Sequence, residues 1–285
     1  MTQPIEFPPV THQPDSVAIV SGGLDSTTLV YDMLDKGYTP HLLSFNYGQR
    51  HAKELTFAKM TAQILGLKHD IVDLTGLTHL ISNSALTSDH KHAEGNDIIE
   101  VPEGHYAEDS MKATVVPNRN MIMLSIATGL AVNNHYRTVG IGVHAGDHFV
   151  YPDCRPEFIF SLGQAILRGN EGFHNFTTND EVVEFGGMQF KGTALPIYAP
   201  FLHYSKATIA YRAIELSVPF HLTWSCYKGG EKHCGKCGTC VERLEAINHA
   251  QWQISKDVPE WCDTPYKIED QTEYENTDFW KTAKK

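Results

Sequence analysis

The sequence has no long hydrophobic run and few basic residues. No stretch reaches the roughly 18 consecutive apolar residues of a membrane-spanning helix, and the first residues lack the basic start and apolar centre of a signal peptide. The 23 lysines and arginines are outnumbered by 34 aspartates and glutamates, and the resulting net charge of −11 disfavours nonspecific binding to nucleic acid or anionic membranes. These absences predict a cytoplasmic enzyme for small molecules, with no membrane partner and with nucleic acid disfavoured as a partner.

The chain of 285 residues contains no internal repeat, and its 41% hydrophobic content is sufficient for a folded core. Short apolar runs, typical of buried strands, alternate with segments of helical periodicity. Strands are predicted at 17–20, 41–45, 69–74, 138–143 and 193–198. Helices are predicted at 27–34, 50–65, 120–133, 158–167 and 206–216. The alternation predicts an α/β, Rossmann-like fold with a parallel five-stranded sheet and helices on both faces.

A turn rich in glycine and serine joins the first predicted strand to the first helix. The segment Ser21-Gly22-Gly23-Leu24-Asp25-Ser26 would place several backbone N–H groups at a helix N-terminus, which is a natural site for phosphate. Hydroxyl groups add donors, and the Asp25 carboxylate could hold a phosphate-bound Mg²⁺. No lysine follows the glycines, so chemistry centred on a γ-phosphate is disfavoured. The alternative interpretation is a tight turn that only caps the helix.

Four of the six cysteines lie close together, at Cys226, Cys234, Cys237 and Cys240. Their spacing, C-x₇-C-x₂-C-x₂-C, contains two overlapping C-x-x-C turns, which in a reducing compartment indicate a metal rather than disulfides. Four thiolates leave no open position on Zn²⁺, so we expect one structural zinc ion per chain. A redox dithiol or an iron–sulfur cluster is the alternative. Cys154 and Cys262 are expected to be ordinary small residues.

Further polar clusters follow other predicted strands, where parallel sheets place ligand-binding residues. Arg119 could reach an anion, and Asp153 could accept two hydrogen bonds from a guanine-like amidine edge. Each cluster by itself fits a cap, a turn or a solvated face equally well.

These motifs carry a resemblance to known families. The first resembles the S-G-G-x-D-S loop of the ATP pyrophosphatase superfamily, whose members cleave ATP between the α and β phosphates. With the segments at 45–51, 116–120, 140–144, 151–158 and 222–227 and the cysteine cluster, the chain resembles the 7-cyano-7-deazaguanine synthase family of queuosine biosynthesis over about residues 17–250. The resemblance implies an adenine nucleotide α hydrolase-like fold and a zinc-containing homodimer. It also implies ATP-dependent conversion of 7-carboxy-7-deazaguanine and ammonia to the nitrile, with AMP and pyrophosphate as products.

The same resemblance implies which residues surround the site: the candidate substrate-binding residues, which match the family's motifs, are Tyr47, Gln49, Arg50, Asn118, Arg119, Asp153 and Arg155. Within the expected reaction, Asp25, Ser26 and Arg119 are the candidate catalytic residues, and Arg119, Arg50 and Lys206 are candidates for contacting phosphate or carboxylate. The zinc ligands are the four clustered cysteines. The nucleotide loop carries over onto Val20, Ser21, Gly22, Gly23, Leu24, Asp25, Ser26, Thr27, Thr28, Leu29 and Val30.

Two stretches interrupt the α/β pattern, a polar loop at 77–113 and a glycine-rich segment at 169–192 that could contain a hairpin over 181–190. We therefore predict that residues 1–220 form the ATP-binding domain with these insertions, and that 221–285 form the zinc-binding segment and a tail. The segment 169–192 is longer than the family usually has, which fits a lid, a dimer contact or a paralogue that passes the activated carboxylate to another amine. Two other functions remain open, a superfamily enzyme that modifies a tRNA base and a non-enzymatic zinc-binding module.

Overall fold

The computed structural model describes residues 12–49, 53–81, 84–87, 100–104, 111–176, 182–185, 188–191, 196–228, 230 and 232–257. Arg50, Cys262 and the tail after residue 257 lie outside these residues. Most of the predicted loop at 77–113 and part of the segment 169–192 also lie outside them.

Five parallel strands form the central sheet, as predicted. Their order is β3-β2-β1-β4-β7, with β1 in the centre, where Val17 pairs with His41 of β2 and Val139 of β4. The strands are β1 Ser16–Ile19, β2 Pro40–Asn46, β3 His69–Asp73, β4 Val139–Gly140 and β7 Ile197–Tyr198. β4 is shorter than expected: pairing stops at Gly140, and Gly142 then lies against the backbone of Asp25.

Helices cover both faces of this sheet, as predicted. They are α1 Leu24–Asp35, α2 Lys53–Leu65, α3 Arg119–Asn133, α4 Pro156–Gly169, α5 Lys206–Glu215 and α6 Gly238–Asp257. Alternate residues of β1 show the two sides: Val17 packs in a cluster with residues of α3 and α4, whereas Ala18 packs with residues of α1, α2, α5 and α6. This alternation is what a strand buried on both faces requires.

The predicted hairpin in the glycine-rich segment forms from β5 Val182–Phe185 and β6 Met188–Lys191. The two strands are antiparallel, with Val182 paired to Lys191 and Phe185 to Met188. They make a separate two-stranded sheet and do not extend the central one.

Helix α3 buries one face in the core. Within the described part of the chain, Lys112–Asn133 is the one helical stretch whose length and composition would suit a membrane span. Its side chains Leu124, Ala127 and Ala131 are fully buried in the cluster that packs on the sheet, whereas Met121 is exposed. The place between the sheet and α4 therefore explains the apolar residues of the buried face.

Candidate active site

The turn between β1 and α1 is shaped by a very close backbone contact. Gly22 has φ +86°, and a Cβ at this position would lie 2.2 Å from the carbonyl oxygen of Glu54 and 2.8 Å from the amide nitrogen of Ala58. Only glycine fits this conformation and this distance from α2. The Gly22 carbonyl also accepts a hydrogen bond of 2.8 Å from the Trp224 backbone, so the turn is held between α2 and the C-terminal segment.

Hydroxyl groups fix the rest of the turn. Ser26 Oγ accepts a hydrogen bond from the Ser21 backbone at 3.2 Å, and the two serine oxygens lie 3.1 Å apart. Gly23 precedes α1 and has no side chain that could cap it. The first turn of α1 therefore presents its backbone N–H groups, at the positive end of the helix dipole, to the space beyond the sheet.

A cavity of about 230 Å³ occupies that space, at the carboxyl ends of the central strands. It brings together residues from several of the sequence motifs. The predicted site residues that line it are Val20, Ser21, Gly23, Leu24, Asp25, Ser26, Tyr47, Gln49 and Arg119. Gly22, Thr27, Thr28, Leu29 and Val30 support the turn and α1 from behind and do not belong to the lining.

One end of the cavity carries a charged cluster around Asp25. Asp25 Oδ2 forms an ion pair with the Lys206 ammonium, and Lys206 Nζ also lies 3.7 Å from Glu242 Oε2. Because His144 Nδ1 accepts a hydrogen bond from Gly146, its Nε2 carries the proton that faces Asp147 at 3.5 Å and Asp25 at 3.9 Å. This end, formed by the α1 N-terminus and Lys206, can bind polyphosphate.

Burial opposes ionisation of Asp25, but Lys206 and His144 outweigh it, so the pKa of this carboxyl lies below its usual value. Asp25 is therefore a carboxylate at neutral pH. Its Oδ1 atom is buried and has no hydrogen-bond partner among the described residues. A carboxylate oxygen left in this state beside a phosphate site is a suitable ligand for Mg²⁺.

The opposite end of the cavity is aromatic and contains Arg119. Its guanidinium lies 6.0 Å from the ring centre of Tyr47 and 5.9 Å from that of Tyr151. The pKa of Arg119 is raised well above its usual value because, although burial lowers it, the surrounding tyrosines raise it more. A half-buried cation that faces aromatic rings is suited to receive an anionic group of a planar ligand.

Glu54 lies at this same end and was not among the predicted site residues. Its Oε1 accepts a hydrogen bond of 3.3 Å from Gln49 Nε2. Burial raises the pKa of Glu54 to about 7, although Arg119 and the Gln49 hydrogen bond act in the opposite direction. The cavity therefore contains a carboxyl group that titrates near neutral pH.

Three predicted substrate-binding residues lie outside the lining. Asn118 is exposed and precedes α3 with φ +60°. Asp153 Oδ2 accepts a hydrogen bond of 3.0 Å from the Asn120 backbone and so caps α3. Arg155 is exposed and donates from Nε to the His148 carbonyl at 2.8 Å. Their role in substrate binding, like that of Arg50, stays a prediction.

The four clustered cysteines come together as a candidate metal centre. The sulfur atoms of Cys226, Cys234, Cys237 and Cys240 all lie within 4.8 Å of one another. A tetrahedral site with Zn–S distances of about 2.3 Å has sulfurs about 3.8 Å apart, so the donor set and its spacing fit a tetrahedral thiolate metal. Backbone N–H groups of Cys234 and Cys237 point at the sulfurs of Cys226 and Cys234, at 3.4 and 3.3 Å, as they do around metal-bound thiolates.

The segment that leads into this cluster also forms one wall of the cavity. Trp224, Ser225, Cys226 and Tyr227 all belong to the lining. Arg243 of α6 is fully buried beneath them and donates to Thr223 Oγ1 at 2.8 Å, to Ser225 Oγ at 3.2 Å and to the Phe220 carbonyl at 2.9 Å. The cysteine cluster and the cavity are therefore parts of one packed unit.

Sequence reasoning missed several of these residues. Glu54, His144, Asp147 and Glu242 are titratable groups near the predicted loop, and they come from three parts of the chain, because His144 and Asp147 are close in sequence. One signal was available: Glu54 lies in the first turn of the helix that follows the motif at 45–51. His144 ends the motif at 140–144, which follows the fourth predicted strand, whereas Asp147 and Glu242 have no local pattern that separates them from surface charges.

A family model described as "Queuosine biosynthesis protein QueC" matches residues 15–251 of this chain. The chain belongs to the QueC family. The match includes the turn at 21–26, the residues of both ends of the cavity and the four cysteines. The membership predicted from the sequence is thereby confirmed.

Members of the QueC family resemble this chain over nearly its whole length. The 7-cyano-7-deazaguanine synthase of Rhizobium rhizogenes is 43% identical over 268 residues, which cover 94% of this chain and 95% of the relative. That of Brucella anthropi is 42% identical, with coverage of 94% and 97%. Among solved structures, NMN synthetase from Francisella tularensis matches with a TM-score of 0.40 and 10% identity, over 88% of this chain and 90% of that one.

Proposed function

We propose that this chain is an ATP-dependent carbon–nitrogen ligase that converts 7-carboxy-7-deazaguanine and ammonia to 7-cyano-7-deazaguanine in queuosine biosynthesis. The observation that carries the proposal is the cavity, which joins the amide-rich N-terminus of α1 and Lys206 at one end to Arg119 and Tyr47 at the other. A polyphosphate and a planar carboxylate can therefore meet in one site. The QueC relatives named above support this choice of substrates.

The first step activates the carboxylate. ATP binds with its β and γ phosphates at the backbone N–H groups of the α1 N-terminus, and the Lys206 ammonium offsets part of their charge. Asp25 Oδ1 would hold the Mg²⁺ that accompanies ATP, and this ion would neutralise further phosphate charge. A carboxylate oxygen of the deazaguanine attacks the α-phosphorus, and the bond to the bridging oxygen breaks. Pyrophosphate leaves, and an acyl adenylate remains in the cavity.

Ammonia then attacks the acyl carbon and displaces AMP, which gives the amide. The amide oxygen attacks the α-phosphorus of a second ATP and again releases pyrophosphate. Loss of the nitrogen protons and departure of AMP leave the nitrile. The described residues contain one phosphate-binding turn of this kind, so we assign both activations to the same site.

Mass spectrometry of the products, after incubation with the deazaguanine carboxylate, ammonia and ATP, tests this function. The nitrile, AMP and pyrophosphate are expected. Asp25→Ala and Ser26→Ala should abolish AMP formation, because they remove the metal-facing oxygen and the hydroxyl that fixes the turn. A product that stops at the amide, or a conjugate with another amine, would instead favour the paralogue that passes the carboxylate elsewhere.

We also propose that the four clustered cysteines hold one structural Zn²⁺ per chain, which supplies no step of the reaction. Metal analysis should find one equivalent of zinc. Cys240→Ser, which removes one ligand, should lower it, whereas the matched variant Cys154→Ser should retain it. Iron with inorganic sulfide, or no metal in either protein, would refute the assignment.

The remaining expectations are a homodimer, a cytoplasmic location and a division of the chain near residue 220. Light scattering during size-exclusion chromatography tests the first, since a dimer of this 31.9 kDa chain would have about twice that mass. Because α6 packs directly against α5, we expect the two parts of the chain to unfold together and not as independent domains.

A further inference from the structure

The proposed reaction requires selection of the deazaguanine ring, and the inference here rests on that proposed function. The ring presents a ring N–H and an amino group side by side on one edge. A carboxylate can accept these two parallel hydrogen bonds on two separate oxygens, whereas an amide or a hydroxyl has to accept both on a single oxygen atom. The cavity should therefore contain a carboxylate that faces the ring.

The sequence assigns this task to Asp153, but its surroundings point elsewhere. Asp153 Oδ2 accepts from the Asn120 backbone at 3.0 Å, and the Asn120 side chain donates to the Asp153 carbonyl at 3.3 Å. The residue is absent from the lining of the cavity over the described part of the chain. Its Oδ2 atom holds the start of α3, and its place outside the lining is what separates it from Glu54.

Three carboxylates line the cavity among the described residues, namely Asp25, Asp147 and Glu54. Asp25 forms an ion pair with Lys206, and Asp147 Oδ2 faces His144 Nε2 at 3.5 Å, although the Asp147 carbonyl also accepts a hydrogen bond from the Tyr151 backbone. The Glu54 side chain is instead held by Gln49 beside Tyr47 and interacts with Arg119. The partners of the three side chains therefore favour Glu54.

The hydrogen bonds around Glu54 leave its carboxylate open to a ligand. Both N–H groups of Gln49 are used, one toward the Phe45 carbonyl at 3.2 Å and one toward Glu54 Oε1 at 3.3 Å. Gln49 Oε1 accepts from the Tyr47 backbone at 2.9 Å. Gln49 thus orients Glu54 and has no N–H left for a ligand. The second carboxylate oxygen, Glu54 Oε2, makes no hydrogen bond within the part of the chain that is described.

We propose that Glu54 is the specificity-determining residue of the site and accepts hydrogen bonds from the ring N–H and the amino group of the deazaguanine. Arg119, at the same end, then receives the carboxylate of the same ligand. Because a guanidinium only donates hydrogen bonds and an ionised carboxylate only accepts them, the pair admits the ring in one orientation. The two donors of the ring also compensate a carboxylate that burial makes costly in the free protein.

Steady-state kinetics with the deazaguanine carboxylate and its analogue without the amino group test this proposal. The wild-type protein should prefer the amino-bearing substrate by at least about tenfold in kcat/KM, the value of one hydrogen bond to a charged group. Glu54→Gln keeps the acceptor for Gln49 but places an N–H against the ring. It should raise the KM of the deazaguanine at least about tenfold, remove most of the preference, and leave the KM of ATP unchanged.

Asp153→Asn is the matched comparison, because Asp153 is the competing acceptor. The preference for the amino group should survive in that variant. If Asp153→Asn removes the preference, or if Glu54→Gln lowers kcat equally for both substrates while the preference remains, Glu54 does not read the ring and the proposal is wrong.

Calorimetry of deazaguanine binding without ATP separates this proposal from the proposed function. If the wild-type protein binds the ring but forms no nitrile, the reaction assignment fails, and the comparison of Glu54→Gln with wild type still decides the role of Glu54. Weaker binding by at least about tenfold supports it. Unchanged binding, or no binding to the wild-type protein, overturns it.

Discussion

The buried Glu54 carboxyl should make the stability of the protein depend on pH in a way that one substitution removes. Its pKa rises from 4.5 to about 7 on folding, mainly because burial disfavours the charged form. The folded protein therefore binds this proton more tightly than the unfolded chain does. The contribution of this carboxyl group to the free energy of unfolding is fully present below pH 4.5 and is lost as the pH rises through about 7.

The size of the effect follows from the two pKa values. Each tenfold change in proton affinity is worth about 1.4 kcal/mol, so the difference between the unfolded-state pKa of 4.5 and the folded-state pKa of about 7 corresponds to about 3 kcal/mol. About 2.5 kcal/mol of this falls between pH 5 and pH 8. Glutamine has nearly the same shape as glutamate, retains the acceptor for Gln49 and does not titrate. Glu54→Gln should therefore gain about 2.5 kcal/mol relative to wild type as the pH is raised over this range.

Urea denaturation of both proteins at pH 5 and pH 8 gives the free energy of unfolding of Glu54→Gln minus that of wild type at each pH, and the prediction concerns the change in this quantity between the two pH values. Other titrating groups cancel, because they are common to both proteins. Glu171→Gln, at an exposed position after α4, is the control and should show no comparable change. If the free energies of unfolding of Glu54→Gln and wild type differ by the same amount at the two pH values, the carboxyl is not desolvated and the reasoning fails.

Three further predictions concern the loop, the buried arginine and the phosphate end. Gly22→Ala, at φ +86° and against the Glu54 carbonyl, should lower the free energy of unfolding, measured by urea denaturation, by about 2 kcal/mol or more. Gly129→Ala, in open space on α3, is the control and should be neutral or stabilising. Equal effects of the two substitutions would contradict the close contact at Gly22. Arg243→Met should lower the free energy of unfolding by about 3 kcal/mol because it leaves buried oxygens unpaired, and a loss below about 1 kcal/mol would argue against this role. Lys206→Gln should destabilise the protein by about 2 kcal/mol at pH 8 and slow pyrophosphate release, because Asp25 loses its partner. Lys206→Arg keeps the positive charge and should have smaller effects on both stability and rate. Equal losses in the two variants would show that the charge is not what matters.

The central sheet and the phosphate loop could be predicted because their signals are local. A short apolar run such as residues 17–20 identifies a strand buried on both faces, and the glycines after it mark the turn. The cysteines were equally accessible, since metal geometry requires close spacing in sequence. In each case neighbours along the chain are also neighbours in the site.

The rest of the site depends on packing between distant segments. Glu54 enters it because α2 lies against Gly22, and Glu242 because α6 lies over α5. Helix α6 itself was missed, although Val241, Leu244 and Ile247 recur at helical spacing, because the glycines and cysteines before it suggested an irregular segment. Asp153, which the motif at 151–158 suggested as a ligand contact, accepts a hydrogen bond from the start of α3, and its role in substrate binding stays a prediction.

The wall formed by residues 224–227 has a consequence for how the enzyme is made. In the sequence, these residues come after all the strands of the sheet, whereas the loop at 21–26 that they contact is synthesised near the beginning. The turn at 21–26 therefore lacks this wall until almost all of the chain has been translated. Incomplete chains that end before residue 222 should lack one side of the proposed ATP site and consume no ATP.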